Sequence, residues 1–255
     1  MNLGLAGKVA LVTGSSRGIG AGTCEVFARE GADVVINYRS SRQRAEELVR
    51  RLSDTYGVRA IAVGADMSRE EDIVSLFRTA IDELGGVDVL VNNASVLNDA
   101  NGPIEDFSVG KFRGAEIGSI ESEMVACREF VRHCKSEHKP GHIVNILTKS
   151  IFWTGSHNNL AYVTVKGANA SFTRGLAHDV ARDGIHVNAV VPGYVRNDRI
   201  EVDSDRYQRA IQHIPMGRFA EPEEIGNCIA FLCSEKAIQC NGAILDCSGS
   251  TLVGD

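Results

Sequence analysis

Short apolar runs rich in β-branched residues alternate with longer amphipathic segments along this chain. Seven such runs predict strands, at residues 8–14, 32–38, 59–65, 87–93, 142–147, 185–191 and 243–247. Continuous apolar runs of this length are typical of parallel strands that are covered on both faces. They indicate a buried sheet with helices packed on each side.

The segments between these runs carry the helical period. Helices are predicted at residues 18–30, 42–55, 69–84, 111–136, 160–182 and 222–233. Regular alternation of strand and helix predicts the α/β class, with a right-handed, doubly wound parallel sheet of seven strands. No linker, repeat or low-complexity tract interrupts the pattern, so we expect a single domain over residues 1–255. A ligand crevice in such a sheet lies beyond the carboxyl ends of the strands.

Composition narrows the class of protein. The 255 residues are 44% hydrophobic and 24% charged, with a formal net charge of −6, which favours a globular protein and gives no basic surface for nucleic acid. The chain has neither an apolar run that spans a bilayer nor a signal-peptide layout, so we expect a cytoplasmic protein without a membrane partner. Its seven cysteines are scattered and show no metal-ligand spacing, which predicts reduced thiols and no metal.

A glycine-rich turn follows the first strand and opens the first helix. Within TGSSRGIG, residues 13–20, Gly14 permits a sharp turn, Gly18 lets a ligand approach the backbone, and Gly20 lets the helix pack on the strand. The helix N-terminus then offers free N–H groups to a diphosphate. We predict a dinucleotide site here, and its cofactor contacts include Ser16, Arg17 and Ile19; the alternative is a tight connection without a ligand.

The residues at the end of the second strand indicate whether the site prefers NAD(H) or NADP(H). NAD-binding proteins usually place an acid there for the ribose 2′-hydroxyl, whereas this chain has no acid in INYRSSR, residues 36–42. Arg39 and Arg17 suit a dianionic 2′-phosphate. We therefore predict NADP(H) as the cofactor, with Tyr38 and Ser40 also in contact with it. The alternative is a pair of solvated surface arginines.

Tyr162 and Lys166 are one helical turn apart. At this spacing both side chains leave the same face of a helix. A free phenol has a pKa near 10, and lowering it by about three units requires roughly 4 kcal/mol from nearby positive charge. We expect Lys166, together with the nicotinamide, to lower the pKa of Tyr162, and Tyr162 to act as the acid or base toward a carbonyl or alcohol. Alone, however, the pair is more often an ordinary helix face.

Together these pieces resemble the short-chain dehydrogenase/reductase family from end to end. The resemblance rests on the glycine turn, Asp66, the run Asn92-Asn93-Ala94, Tyr162-x-x-x-Lys166, Asn188 and Pro192-Gly193. It implies a Rossmann-type fold, an adenine contact from Asp66 and Lys166 on the nicotinamide ribose. The remaining cofactor contacts that it implies are Met67, Asn93, Ala94, Ser95, Pro192, Gly193 and Val195.

Several positions depart from the family pattern, including Asn197 and the run Asp246-Cys247-Ser248 near the end of the chain. Ser95 stands where the family has Gly, and Leu147-Thr148 stand where it has two serines. We assign Thr148 the substrate-orienting role, with Ser150 as its rival. In the middle helix the family's relay Asn falls on Ser119, and the sequence leaves open whether Ser119 holds the relay water or the relay is impaired.

The resemblance also implies a location for the substrate site and an oligomeric state. Ser150, Phe152, Trp153 and Tyr194 fall on the loops that contact substrate in the family. The aromatic residues could wall a pocket for a small aromatic or alicyclic carbonyl, or could equally pack the loops together. A short, charged lid is expected at residues 194–215, and a homotetramer is expected from the family habit alone.

The sequence thus predicts an NADP(H)-dependent oxidoreductase that acts on a ketone or secondary alcohol. A 3-oxoacyl-(acyl-carrier-protein) reductase is the alternative within this class, favoured by the basic residues at the end of the middle helix. From another class, a non-catalytic dinucleotide-binding sensor or partner protein would explain the altered motif positions.

Overall fold

Seven parallel strands form one sheet in the computed structural model, which describes residues 2–95, 102–152, 159–198 and 204–251. The strand order is β3-β2-β1-β4-β5-β6-β7, which confirms the predicted doubly wound sheet. The strands are β1 Val9–Val12, β2 Asp33–Tyr38, β3 Ala60–Gly64, β4 Val89–Asn92, β5 Gly141–Ile146, β6 Ile185–Pro192 and β7 Ile244–Cys247.

Strand order reverses between β1 and β4, the two central strands. Leu11 of β1 pairs with Val35 of β2 on one side and with Leu90 of β4 on the other. All three side chains are fully buried, as the unbroken apolar runs predict. The carboxyl ends of β1 and β4 therefore diverge into opposite crossovers, and a crevice opens between them.

Helices cover both faces of this sheet. They are α1 Gly18–Arg29, α2 Arg42–Tyr56, α3 Glu70–Leu84, α4 Val109–Glu116, α5 Ser122–Ser136, α6 Leu160–Val180, α7 Asp205–Ile211 and α8 Pro222–Leu232. Phe27 of α1 lies in the apolar core on one face, and Phe130 of α5 lies in the core on the other. Helices α1 and α8 approach closely at Gly22, where an added Cβ would lie 2.6 Å from Pro222.

The middle helix differs from its prediction. The single helix expected over residues 111–136 is two helices, α4 and α5, joined by a π-helical turn at Ile117–Glu121. Two glycines, Gly114 and Gly118, weaken the α-helix at this point, and a π turn accommodates one extra residue without breaking the helix. Short helix α7, in the charged segment at 205–211, was not predicted.

All seven cysteines are free, in agreement with the expected reduced thiols. Four of them are buried as small apolar side chains: Cys24, Cys127, Cys134 and Cys233. Over the described parts of the chain, no helix combines the length and apolar character needed to cross a membrane.

Candidate active site

A crevice of about 650 Å³ lies at the carboxyl ends of the strands beside the point where strand order reverses. This volume is in the usual range for a cofactor site. Its lining contains twelve of the predicted cofactor residues: Gly14, Ser16, Arg17, Gly18, Tyr38, Arg39, Ser40, Asp66, Met67, Asn93, Ala94 and Ser95. The crevice is completed by Asn37, Ser41, Ala65, Asn197 and Asp198.

The glycine turn has the backbone geometry that its sequence requires. Gly14 and Gly18 have φ values of 60° and 57°, a left-handed conformation that disfavours side chains. Helix α1 begins at Gly18 with no side-chain cap from Arg17 and no acid in its first turn. The first N–H groups of α1 thus present the positive end of the helix dipole, where an anion would be stabilised.

Two predicted residues of this turn lie outside the lining of the crevice. Ile19 packs against the apolar core, and Gly20 permits close packing, because an added Cβ would lie 2.7 Å from Asn93 Nδ2. Gly20 therefore brings the start of α1 against the loop after β4, whereas the sequence suggested packing of the helix on the strand.

Asn37, which the sequence analysis did not select, fastens the turn to the neighbouring strands. Its Oδ1 accepts a hydrogen bond from Gly14 N at 2.8 Å, and its Nδ2 donates to Ala65 O at 3.1 Å. Only 1% of the residue is exposed. The available signal was an amide inside an otherwise apolar strand, since buried polar side chains are normally hydrogen-bonded.

Thr13 and Asn93 join the carboxyl ends of β1 and β4. Thr13 Oγ1 accepts from the backbone N–H groups of Asn93 and Ala94, each at 3.0 Å. Asn93 Nδ2 returns hydrogen bonds to the carbonyl oxygens of Thr13 and Gly14 at 2.8 and 3.0 Å. These bonds fix the floor of the crevice.

Two arginines of the crevice lining form no ion pair among the described residues. Arg17 and Arg39 are exposed and form no ion pair there. The next two arginines are engaged, since Arg42 bonds Glu46 at 2.7 Å and Arg44 bonds Asp198 at 2.5 Å. The charge of Arg39 acts on the carboxylate of Asp66 without forming an ion pair, so both guanidinium groups remain available beside the end of β2, where a 2′-phosphate would need them.

Asp66 remains anionic at the other edge of the crevice. Its Oδ1 accepts hydrogen bonds from Ser68 N at 2.9 Å and Ser68 Oγ at 2.8 Å. The backbone hydrogen bond from Ser68 is the main cause that lowers the pKa of this carboxyl. An acceptor of this kind suits an amine on a bound base.

Thr148, Tyr162 and Lys166 come together beyond the end of β5. The Thr148 hydroxyl is hydrogen-bonded to the Tyr162 phenol. Lys166 is 3% exposed and donates from Nζ to the carbonyl oxygen of Ile146 at 2.6 Å. The rival hydroxyl of Ser150 lies 3.4 Å from Thr148 Oγ1, with its backbone N–H directed to the same atom at 3.3 Å.

The pKa of Tyr162 is set by burial and by one hydrogen bond. Burial raises the pKa of the phenol, and the hydrogen bond with Thr148 lowers it by a smaller amount. Without the dinucleotide, desolvation of the phenol dominates and the lysine ammonium is directed to Ile146; the lowering expected from Lys166 together with the nicotinamide stays a prediction. The phenol is protonated at neutral pH.

Ser119 lies within the π turn and is 7% exposed. Its carbonyl oxygen accepts a hydrogen bond from Ser122 Oγ at 3.3 Å. One turn further on, buried Glu123 acts electrostatically on Lys166. Glu123 was not predicted from the sequence, because a glutamate on an amphipathic helix usually faces solvent.

The segment after β6 lies outside the lining of the large crevice. Gly193 permits a close crossing, since an added Cβ would lie 2.6 Å from Ser248 O. Val195 forms a bridge with Ala220. These contacts hold the segment that follows Pro192, where the family resemblance places the nicotinamide.

Tyr194 is held by packing on both sides. Its ring stacks on Phe219 with centroids 5.2 Å apart, and Lys149 Nζ lies 3.6 Å from the ring centroid. Burial lowers the pKa of Lys149 to about 8. Tyr194 also lines a second cavity of about 370 Å³, with Met216, Arg218 and Cys228 among its neighbours.

The other predicted substrate residues are only partly described. Phe152 is 57% exposed at the end of a 3-10 turn, Lys149–Ile151. Trp153 lies outside the described residues, as do five residues of the expected lid, 199–203. The remainder of the lid contains α7, whose Tyr207 ring packs on Phe219 with centroids 4.5 Å apart.

Comparison with known proteins agrees with this geometry. A family model described as enoyl-(acyl carrier protein) reductase matches residues 14–249. The 3-oxoacyl-(acyl-carrier-protein) reductase of Aquifex aeolicus is 33% identical, with 98% of this chain and 99% of the relative covered. Glucose 1-dehydrogenase of Gluconobacter oxydans is 36% identical, with 98% and 94% covered.

A solved structure of a related enzyme has the same fold. L-sorbose reductase from Gluconobacter frateurii, complexed with NADPH and L-sorbose, superposes with a TM-score of 0.91 at 30% identity, and the full length of both chains is covered. The match extends over the sheet, the crevice and the helix that carries Tyr162. The chain belongs to the short-chain dehydrogenase/reductase family of oxidoreductases.

Proposed function

We propose that this protein is an NADP(H)-dependent oxidoreductase that transfers hydride between the nicotinamide and a ketone or secondary alcohol. The observation that carries this proposal is the hydrogen bond between Thr148 and Tyr162, beside buried Lys166. A hydroxyl pair of this kind can hold and protonate a substrate oxygen. Family membership supports hydride transfer beside this pair of hydroxyl groups.

The crevice fits the dinucleotide through three groups of its own residues. The N–H groups at the start of α1 would hold the diphosphate, Asp66 would accept from the adenine amine, and Arg17 with Arg39 would bind the 2′-phosphate. When bound, the nicotinamide supplies or accepts the hydride. The sorbose reductase complex contains NADPH in the same fold, which supports this choice of cofactor.

Proton transfer would be carried out by the side chains around β5. Thr148 would donate a hydrogen bond to the substrate oxygen while Tyr162 gives its proton to the forming alkoxide, and the reverse reaction would use the same atoms. Because burial raises the pKa of Tyr162, the phenol is in the acid form that carbonyl reduction requires. Lys166 would hold the nicotinamide ribose.

The substrate proposed is small, with an aromatic or alicyclic ring next to the carbonyl. The exposed ring of Phe152 and the fixed ring of Tyr194 are the described apolar groups near the segment that follows β5 and β6. A sugar is also to be tested, because sugar-acting enzymes are among the relatives.

A 3-oxoacyl-(acyl-carrier-protein) reductase is the second candidate, favoured by the Aquifex aeolicus relative. The basic end of α5 supports it less than the sequence suggested. Arg128 bonds Glu70 at 2.8 Å, and Lys135 bonds Asp183 at 2.8 Å. Arg132 bonds Glu129 at 3.0 Å, so these cations are already compensated by neighbouring acids.

The experiment measures NADPH oxidation by the wild type and by Tyr162→Phe against aromatic, alicyclic, ketose and β-ketoacyl thioester substrates. NADPH binding is measured in parallel by fluorescence. We expect turnover on one class, and a loss of about 10²–10⁴-fold in kcat for the variant with NADPH still bound. Tight NADPH binding without turnover on any class, or turnover unaffected by Tyr162→Phe, would favour the non-catalytic alternative.

A homotetramer is proposed from family membership. Light scattering of the purified chain gives its mass in solution directly. Four times the mass of one chain is expected, and a monomeric mass would remove this proposal.

A further inference from the structure

A buried carboxyl group lies behind the catalytic lysine. Glu123, on the first turn of α5, is 4% exposed. Its Oε2 accepts a hydrogen bond from Asn169 Nδ2 at 2.6 Å, while Oε1 has no hydrogen-bond partner among the described residues. A carboxyl group is rarely buried so completely unless a charge or a network compensates it.

Asn169 places this carboxyl next to the catalytic face of α6. Asn169 is fully buried and lies three residues after Lys166, hence one turn further along the same face of the helix. Its own helix also connects to the sheet, since Thr173 Oγ1 accepts from Asn145 Nδ2 at 2.9 Å and Asn145 Oδ1 accepts from Asn92 Nδ2 at 2.9 Å. The carboxyl group is therefore held in a fixed position by a chain of amides.

Lys166 is also buried, and a buried ammonium group is stable only when a nearby negative charge compensates it. Its ammonium group donates a hydrogen bond to the neutral carbonyl of Ile146, and burial lowers the pKa of that ammonium group. The charge of Glu123 acts in the opposite direction and raises that pKa. The effect is mutual: burial raises the pKa of Glu123 to about 8, and the charge of Lys166 opposes that rise, so the carboxyl group becomes an anion as the pH passes through this value.

The surroundings contain no competing charge within the described chain. The charge acting on Glu123 is that of Lys166, from α6. On its own helix the titratable neighbour is the Cys127 thiol, whose pKa is raised by burial and by Glu123. From the sheet, β4 contributes the neutral amide of Asn92, which bonds Cys127 Sγ at 3.3 Å. Lys166 and Glu123 thus form an isolated pair.

We propose that Glu123 is the counter-ion that keeps buried Lys166 in its ammonium form, and that it thereby tunes proton transfer at Tyr162. Glu123 is a positioning residue, since it acts through Lys166. The effect of Glu123 on catalysis rests on the proposed function. The effect of Glu123 on the ionisation of Lys166 does not, because it is measured without a substrate. In this protein the carboxyl group lies one turn beyond Ser119, the residue that occupies the position of the family's relay Asn.

The first test reads Lys166 directly. The Cε and Nζ resonances of lysine-labelled full-length protein are titrated by NMR, and the Lys166 signal is assigned by its loss in Lys166→Met. Glu123→Gln keeps the shape and the hydrogen bond from Asn169 but removes the charge. We expect the pKa of Lys166 to fall by about one unit or more. An unchanged or raised pKa would overturn the proposal, because it would mean that Glu123 is a neutral structural acid.

Two further variants test whether a change in the pKa of Lys166 is due to the charge of Glu123. Glu123→Asp retains the charge and is expected to restore most of the lysine pKa. Glu129→Gln is the matched control on the same helix, since Glu129 pairs with Arg128 and Arg132 at the surface, and it is expected to leave Lys166 unchanged. If Glu123→Gln does not fold, Asn169→Leu removes the hydrogen bond that stabilises the carboxylate. It should lower the pKa of Lys166 in the same direction, and no shift there would equally contradict the proposal.

The catalytic consequence is read from the pH profile of kcat/KM on whichever carbonyl the wild type reduces. The high-pH limb should move to lower pH in Glu123→Gln, because Lys166 then loses its proton earlier. NADPH binding at pH 6 should be retained. A profile that keeps its shape while activity falls uniformly would indicate a packing role and reject the proposed one. Failure of the reductase proposal appears separately, as a wild type with no turnover.

Discussion

The hydroxyl of Thr148 is hydrogen-bonded to the phenol of Tyr162, whereas the Ser150 hydroxyl lies 3.4 Å from Thr148 Oγ1. We therefore expect Thr148→Val to lower kcat by about 10²–10³-fold, since it removes a donor aimed at the substrate oxygen. Thr148→Ser should keep most of the activity. Ser150→Ala is the matched control and should change kcat little; a larger loss in Ser150→Ala than in Thr148→Val would assign the orienting role to Ser150.

Arg39→Ala should weaken NADPH binding selectively. A charge-assisted hydrogen bond contributes about 1.5–3 kcal/mol, so Kd for NADPH should rise about tenfold or more while Kd for NADH stays the same. Isothermal titration with both dinucleotides measures the two constants. Arg42→Ala is the control, because Arg42 is bonded to Glu46. If Arg39→Ala raised the Kd for NADPH and for NADH by the same factor, Arg39 would not be a ligand of the 2′-phosphate.

The crossing of α1 and α8 should be sensitive to a single methyl group. Gly22→Ala would place a Cβ 2.6 Å from Pro222 and should destabilise the protein by about 1–3 kcal/mol. Gly175→Ala, on an exposed position of α6 with open space around it, should instead stabilise by up to about 1 kcal/mol. Chemical denaturation compares the two variants. Equal effects of the two substitutions would contradict the close packing at Gly22.

The protein should lose stability on mild acidification through His142. This ring stacks on His186 with centroids 5.2 Å apart, and burial lowers the pKa of His142 from 6.5 to about 4. The unfolded chain therefore binds the proton more readily, so stability is full above pH 6.5 and falls toward pH 4. Between pH 7.5 and pH 5 the contribution of His142 to the free energy of unfolding should fall by about 2 kcal/mol.

Urea denaturation at these two pH values measures the effect. His142→Phe should remove this part of the pH dependence, while His178→Gln, whose side chain is 93% exposed, should leave it unchanged. An identical pH dependence in the wild type and His142→Phe would exclude His142 as its source.

The sheet and the cofactor crevice followed from the sequence because both depend on local patterns. An apolar run such as VALV at 9–12 forms a buried strand in any parallel sheet, and the turn from Gly14 to Gly20 follows directly from its strand. The predicted ends of the strands agree with the structure to within two residues. Once the strand order is known, the side chains at the carboxyl ends of the strands can be assigned to the crevice.

The features that the sequence did not predict depend on contacts between distant residues. Glu123 and Asn169 are 46 positions apart, and each is an ordinary polar residue on an amphipathic helix until the two helices pack together. The raised pKa of Tyr162 has a similar origin, since it reflects burial that only the tertiary structure provides. The π turn at Ile117–Glu121 was hidden because its residues keep a helical pattern.

The bonds between Thr13 and Asn93 have a consequence for the order of biosynthesis. The two residues are 80 positions apart, so the glycine turn emerges from the ribosome long before the residue that locks it. Closing such a long loop is entropically costly and is repaid only when β4 has docked beside β1. A nascent chain that ends before Asn93 therefore carries the phosphate-binding motif with its hydrogen bond to Asn37 but without those that join the turn to the loop after β4.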